Sequence, residues 1–273
     1  MEEKEELPIM PDIEALLDKG RELSDKEEYD KAIRCYDKVL EICPASYKAL
    51  GLKGYALYGK ELYDDAIACC NEAIKLVPID VCAWVVKGFV LHSKRLYDEA
   101  IGCFDEVIKL DSDNSVSWYN KGVVLMDKKL YDEAIICYDK AIKLNPDYFH
   151  AWYNKGNALS KKHLYDEAIE CYNETIKLNP NDSMAWNNKG SALIEKGLYD
   201  DAIGCFSEVI ISNSNDSGAY YGMGQALEGK GLHDEAETYF HRAYHLDASL
   251  TLHVEEAGTL PTLTEFDTSS LPF

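Results

Sequence analysis

The chain has 273 residues, 47% of them hydrophobic, and sets 28 Lys and Arg against 49 Asp and Glu for a formal net charge of −21. That field repels a phosphate backbone and an anionic lipid surface, so nucleic-acid and membrane partners are excluded and a neutral or basic partner is favoured. No apolar run approaches the ~18 residues of a membrane span, and the opening stretch MEEKEELPIMPD is acidic where a secretory leader would be basic and then apolar. The expectation is a soluble, cytoplasmic protein.

Residues 1–12 are charged, contain two prolines and show no helical period, which predicts a flexible tail. From Ile13 the chain repeats itself every 34 residues, with units 13–46, 47–80, 81–114, 115–148, 149–182, 183–216 and 217–250. The fifth unit shows the pattern. Trp152, Gly156 and Leu159 share one face of a first helix, and Tyr165, Ala168, Ile169, Tyr172 and Ile176 share one face of a second. Lys162 and His163 mark the bend between them. Asp166 and Glu167 sit in the first turn of the second helix, where carboxylates suit the dipole, and Pro180 ends it. Gly156 is expected to let the second helix approach closely, with Ala168 as the small residue opposite.

The same columns run through every unit. The large position reads Leu16, Leu50, Trp84, Trp118, Trp152, Trp186 and Tyr220, and the glycine column, from Gly20 to Gly224, is unbroken. Leucine follows three residues after each glycine, alanine marks each second helix from Ala32 to Ala236, and an aromatic follows four residues later except at Cys70. This W…G…L…A…Y/F…P pattern resembles the tetratricopeptide repeat (TPR) family. The resemblance implies an all-α fold, a right-handed superhelical solenoid of antiparallel helix pairs whose first helices line a concave groove. Ser112, Ser214 and Ala248 stand where the family's terminating proline is expected. One hairpin buries only one face, so stacking must complete the core.

Residues 251–273 break the rhythm. The stretch from Thr259, TLPTLTEFDTSSLPF, is a short acidic peptide with Leu260, Leu263, Phe266, Leu271 and Phe273, read either as a loose terminus or as a segment that docks into a TPR groove.

Signals for chemistry are weak. Cys35, Cys69, Cys103, Cys137, Cys171 and Cys205 recur at the repeat period, which reads as a column of structural thiols, and no paired CxxC arrangement suggests a metal. His241 and His245 share a helix face without an HExxH motif, and no phosphate-binding glycine loop or GxSxG nucleophile motif is present. Asp/Glu pairs such as Asp98-Glu99 belong to helix starts. Neither catalysis nor any cofactor is expected.

The flank of each first helix carries the remaining information. Tyr55, Phe89, Tyr119, Val123, Tyr153, Asn157, Asn187 and Tyr221 lie beside the buried face. By the resemblance they line the groove, whose earlier units are aromatic and aliphatic and whose later units are polar. Such a surface suits a peptide with an apolar anchor. Asn120, Asn154 and Asn188 form a column in three consecutive units and resemble the asparagine ladders that hold a ligand backbone in some family members. The lysine and arginine positions of the family's chaperone-tail clamp are apolar, amide or small here, apart from Arg21 and Lys48. The lysine column from Lys19 to Lys189 is expected to pack its stems beside the core and send its charge to solvent or acids. The reading is a non-catalytic protein-interaction scaffold with a peptide in the groove of units three to six. A self-associating structural protein is the alternative.

Overall fold

The computed structural model describes residues 12–247. Fourteen α-helices, and no strand, occur among them: α1 (Ile13–Asp25), α2 (Tyr29–Ile42), α3 (Tyr47–Gly59), α4 (Tyr63–Leu76), α5 (Val81–Ser93), α6 (Tyr97–Leu110), α7 (Ser115–Asp127), α8 (Tyr131–Leu144), α9 (Phe149–Lys161), α10 (Tyr165–Leu178), α11 (Ser183–Glu195), α12 (Tyr199–Ser212), α13 (Ser217–Gly229) and α14 (His233–Leu246). The two readings of the C-terminal stretch, and the N-terminal tail up to Pro11, lie outside the described residues.

The helices pack into two compact units that part within α9, between Ala158 and Leu159. In the first unit each helix from α1 to α8 packs on the next, and the first helices of successive pairs, α1, α3 and α5, also touch. In the second unit α10 to α14 follow the same order, and α11 touches α13.

Capping residues set the helix boundaries. Asp12, Ser46, Asp80, Asn114, Asp182 and Asp216 each accept a hydrogen bond from a first-turn backbone N–H at the start of a first helix. Second helices begin after Leu62, Leu96, Leu130, Leu164, Leu198 and Leu232, whose side chains cannot cap, and acidic residues in the first turn complement the dipole instead. Every first helix ends at a residue of positive φ: Glu27, Glu61, Arg95, Lys129, His163, Gly197 and Gly231. The next N–H reaches back around it, as Leu130 N–H does to the Leu125 carbonyl at 2.9 Å, so the last turn closes on itself.

Inside each pair the alanine column is fully buried, from Ala32 to Ala202. The residue over the glycine is an aromatic ring rather than that alanine: a Cβ on Gly122 would stand 2.6 Å from Tyr138 Cε1. Flat rings thus fill the space that the missing side chain leaves. At Gly54 the ring is absent and Cys70 Sγ takes its place, 2.8 Å from the same ideal Cβ position. In the last pair Tyr239 stands in the cysteine column, and its ring lies 6.2 Å from that of Tyr220.

Candidate functional site

Two sets of contacts between repeats hold the first helices in place. The indole Nε1 of Trp84, Trp118, Trp152 and Trp186 donates to the carbonyl oxygen six residues earlier, of Pro78, Ser112, Pro146 and Pro180, at 2.9 to 3.0 Å. Each half-buried tryptophan therefore clips the linker that precedes its helix. Lys87, Lys121, Lys155 and Lys189 set their ammonium groups 5.2 to 6.0 Å from the centres of those same rings. Lys53, Lys121 and Lys155 also pair at 2.6 Å with Asp37, Asp105 and Asp139 on the preceding second helix. The lysine column bridges neighbouring elements and does not simply extend to solvent.

A second ladder ties the bends together. Lys60, Lys94, Lys128, Lys196 and Lys230 pair with Asp30, Asp64, Asp98, Asp166 and Asp200, each 30 residues earlier. Both columns stand in the sequence at the repeat period. The sequence reading passed over their complementarity because the partners belong to different repeats.

On the first unit, Tyr55 on α3 is 38% exposed. Phe89 on α5 is half-buried between Tyr58 and Phe104, with ring centres 6.4 and 5.8 Å away. On α7, Val123 and Tyr119 lean against the buried cluster around Leu125 and Tyr138. Burial raises the Tyr119 phenol above its ordinary pKa, and a hydrogen bond from Asn154 partly opposes the shift. Asn154 on α9 donates from Nδ2 to the Tyr119 hydroxyl at 2.9 Å. Asn120 has no such arrangement, since its Nδ2 is buried with no hydrogen-bond partner. Tyr153 and Asn157 are half-buried beside them.

One group near this face escaped the sequence reading. Tyr148 occupies the position that six other first helices give to a capping Asp, Ser or Asn. The first-turn N–H of Ala151 falls back on the Tyr148 carbonyl at 2.9 Å. The Tyr148 ring lies 4.9 Å from Tyr119 and 6.2 Å from His150, and the Phe149 ring is tilted against His150 with centres 3.9 Å apart. Burial pushes the Tyr148 phenol up to about 12. The break in the capping column was the available signal.

On the second unit, Asn187 on α11 donates to the Asp216 carboxylate at 3.3 Å, while its Oδ1 is buried without a partner. Asn188 is half-buried on the same helix. Tyr221 on α13 sets its ring 5.4 Å from Phe240 on α14.

The nine cysteines are all free thiols. Burial pushes Cys103, Cys137 and Cys205 up to about 11 and Cys70 up to about 12, so these thiols stay protonated and poorly nucleophilic near neutrality. No group of three or more His, Cys, Asp and Glu among the described residues is placed to hold a metal ion. No described helix is long and apolar enough to cross a membrane.

Models of the tetratricopeptide repeat match residues 17–80, 83–114, 115–148, 150–182, 171–204 and 190–250, nearly the whole repeated region. No curated protein matches the chain. Among solved structures, YrrB, described as a TPR protein with an unusual peptide-binding site, is 24% identical over 68% of this chain and 97% of its own, with a TM-score of 0.59. A crystal structure of MamA is 29% identical over 60% of this chain and 96% of its own, at 0.57. A tetratricopeptide repeat protein from Parabacteroides merdae is 16% identical over 86% and 93%, at 0.63. With the fourteen helices of its described residues in consecutive pairs, the chain belongs to the tetratricopeptide repeat family.

Proposed function

We propose that the protein is a non-catalytic, cytoplasmic protein-interaction scaffold that holds a peptide or protein segment against the first-helix faces of its repeats. One observation carries this reading. The flank positions Gly51, Tyr55, Val85, Phe89, Tyr119, Val123, Tyr153 and Asn157 hold no charge in a chain that is 28% charged. The glycine, leucine and alanine columns that build the repeat barely change, while this flank varies, reading Gly51, Val85, Tyr119, Tyr153 at one position and Tyr55, Phe89, Val123, Asn157 at the other. Folding accounts for the columns, and on the flank it accounts only for the packed sides of residues such as Phe89, Tyr119 and Val123. An uncharged, aromatic-rich strip suits a ligand with an apolar anchor. Asn120, Asn154 and Tyr119 supply its polar contacts on the first unit; Asn187, Asn188 and Tyr221 do so on the second.

The test is selection of binders from a random peptide library on the full chain, followed by paired variants. Tyr55→Ser with Tyr153→Ser is expected to weaken the selected peptides about tenfold, since buried aromatic anchors dominate such interfaces. Ile136→Ser with Lys140→Ser, on the exposed side of α8, is expected to leave them unchanged. Equal effects of the two pairs contradict the proposal, and a mass that rises with concentration in sedimentation supports self-association instead.

A further inference from the structure

We infer that the aromatic group formed by Tyr119, Tyr148 and His150 is a subsite for an arginine side chain of the bound segment; this rests on the interaction-face reading above. The argument begins with a forfeited cap. Six first helices start on a side chain that accepts a first-turn N–H, and α9 starts on Tyr148, which does not. Replacing a good cap in this way costs stability, and in exchange the ring brings packing surface and a π-system that a capping side chain lacks. Part of its surface packs on Ala141, Ile142 and Ala151, but the residue remains half-buried, and neighbouring His150 is exposed. The three rings lie within 4.9 to 6.4 Å of one another at the N-terminal end of α9, with the Phe149 ring 3.9 Å from that of His150.

Charge selects the occupant. Tyrosine rings attract a planar cation over their faces, and guanidinium stacks on them better than an ammonium does. The lysines of the flanking first helices are engaged elsewhere: Lys121 is held by Asp105 and Trp118, and Lys155 by Asp139 and Trp152. Asp147, next in sequence to Tyr148, is exposed and enters no ion pair among the described residues. Its charge adds to the acidic field at this end of α9. The chain's net charge of −21 favours a basic ligand at long range.

The experiment titrates the isotopically labelled full chain with Ac-Ala-Leu-Arg-Leu-Ala-NH2 and with its citrulline twin, which has the same shape but no charge, and follows tyrosine and histidine ring resonances. The arginine peptide is expected to bind about fivefold more tightly and to move Tyr119, Tyr148 and His150. Tyr148→Phe should retain the preference and Tyr148→Leu should lose it. Tyr148→Asn restores a cap and should lose the preference while melting no lower than the parent. Equal binding of the two peptides with shifts at Tyr119 overturns the arginine assignment and leaves the interaction face standing. Shifts confined to second-helix resonances, or no binding by either peptide at millimolar concentration, overturn the assignment as well; only the former also counts against the face.

Discussion

Asn154 donates from Nδ2 to the hydroxyl oxygen of Tyr119 at 2.9 Å, joining two first helices across 35 residues of sequence. One repeat earlier the same register places Asn120 after Val85, which offers no acceptor, and the Asn120 amide is buried without a partner. The two asparagines therefore differ in worth despite identical positions. Asn154→Leu is expected to cost about 1 kcal/mol, because it removes a hydrogen bond; Asn120→Leu should be neutral or stabilising, because it removes an unmet donor. Urea unfolding of the two variants checks this, and equal losses would contradict it.

The phenols of the aromatic column offer a second comparison. The Tyr36 hydroxyl lies 3.4 Å from the Ser24 hydroxyl, whereas the Tyr138 hydroxyl is buried with no partner because Met126 stands in the serine's position. Tyr138→Phe should raise the melting temperature or leave it unchanged, and Tyr36→Phe should lower stability by about 0.5 to 1 kcal/mol.

The bends make a third. Lys129 and Arg95 hold φ near +64° and +61°, where Gly197 and Gly231 sit at +72° and +80°. Left-handed backbone costs an L-residue roughly 1 kcal/mol, so Lys129→Gly should stabilise and Gly197→Ala should destabilise by about that amount. Thermal melts of both variants decide the point.

These comparisons show what could be read from the sequence. The glycine, alanine and aromatic columns announced helix pairs because each acts within its own repeat, and Lys162-His163 was correctly placed at a bend. The contacts between repeats were harder to see. The lysines of the Lys94–Asp64 type form a regular column, but pairing them requires knowing which turns adjoin. The tryptophans read as the large position of the first helix, and only the structure shows their N–H closing on Pro78 and its equivalents. Tyr148 breaks a capping column whose other members, Asp12 to Asp216, recur at the 34-residue spacing of the repeat in the sequence. The asparagine column was visible, yet whether an amide is engaged depends on the residue 35 positions earlier.

Stability should fall in mild alkali. Cys103, Cys137 and Cys205 are raised by burial from 9.0 to about 11, and Cys70 to about 12. Above pH 9 the unfolded chain releases these thiol protons while the folded chain keeps them, so stability present below 9 is lost progressively between 9 and 11. The loss is on the order of 1 kcal/mol per thiol per pH unit in that window. Melting at pH 8 and pH 10 should show the drop, and replacing Cys103, Cys137 and Cys205 with alanine should reduce it; a pH-independent melting temperature would contradict the assignment.

The uncharged flank of the first helices, and not the exposed side of the second helices, meets the partner. The most direct measurement is chemical-shift mapping of the full chain with a library-selected peptide. The account predicts that resonances of Phe89, Asn120, Val123 and Tyr153 move while those of Ile136 and Lys140 stay in place. Movement of the second set with the first unmoved would contradict it.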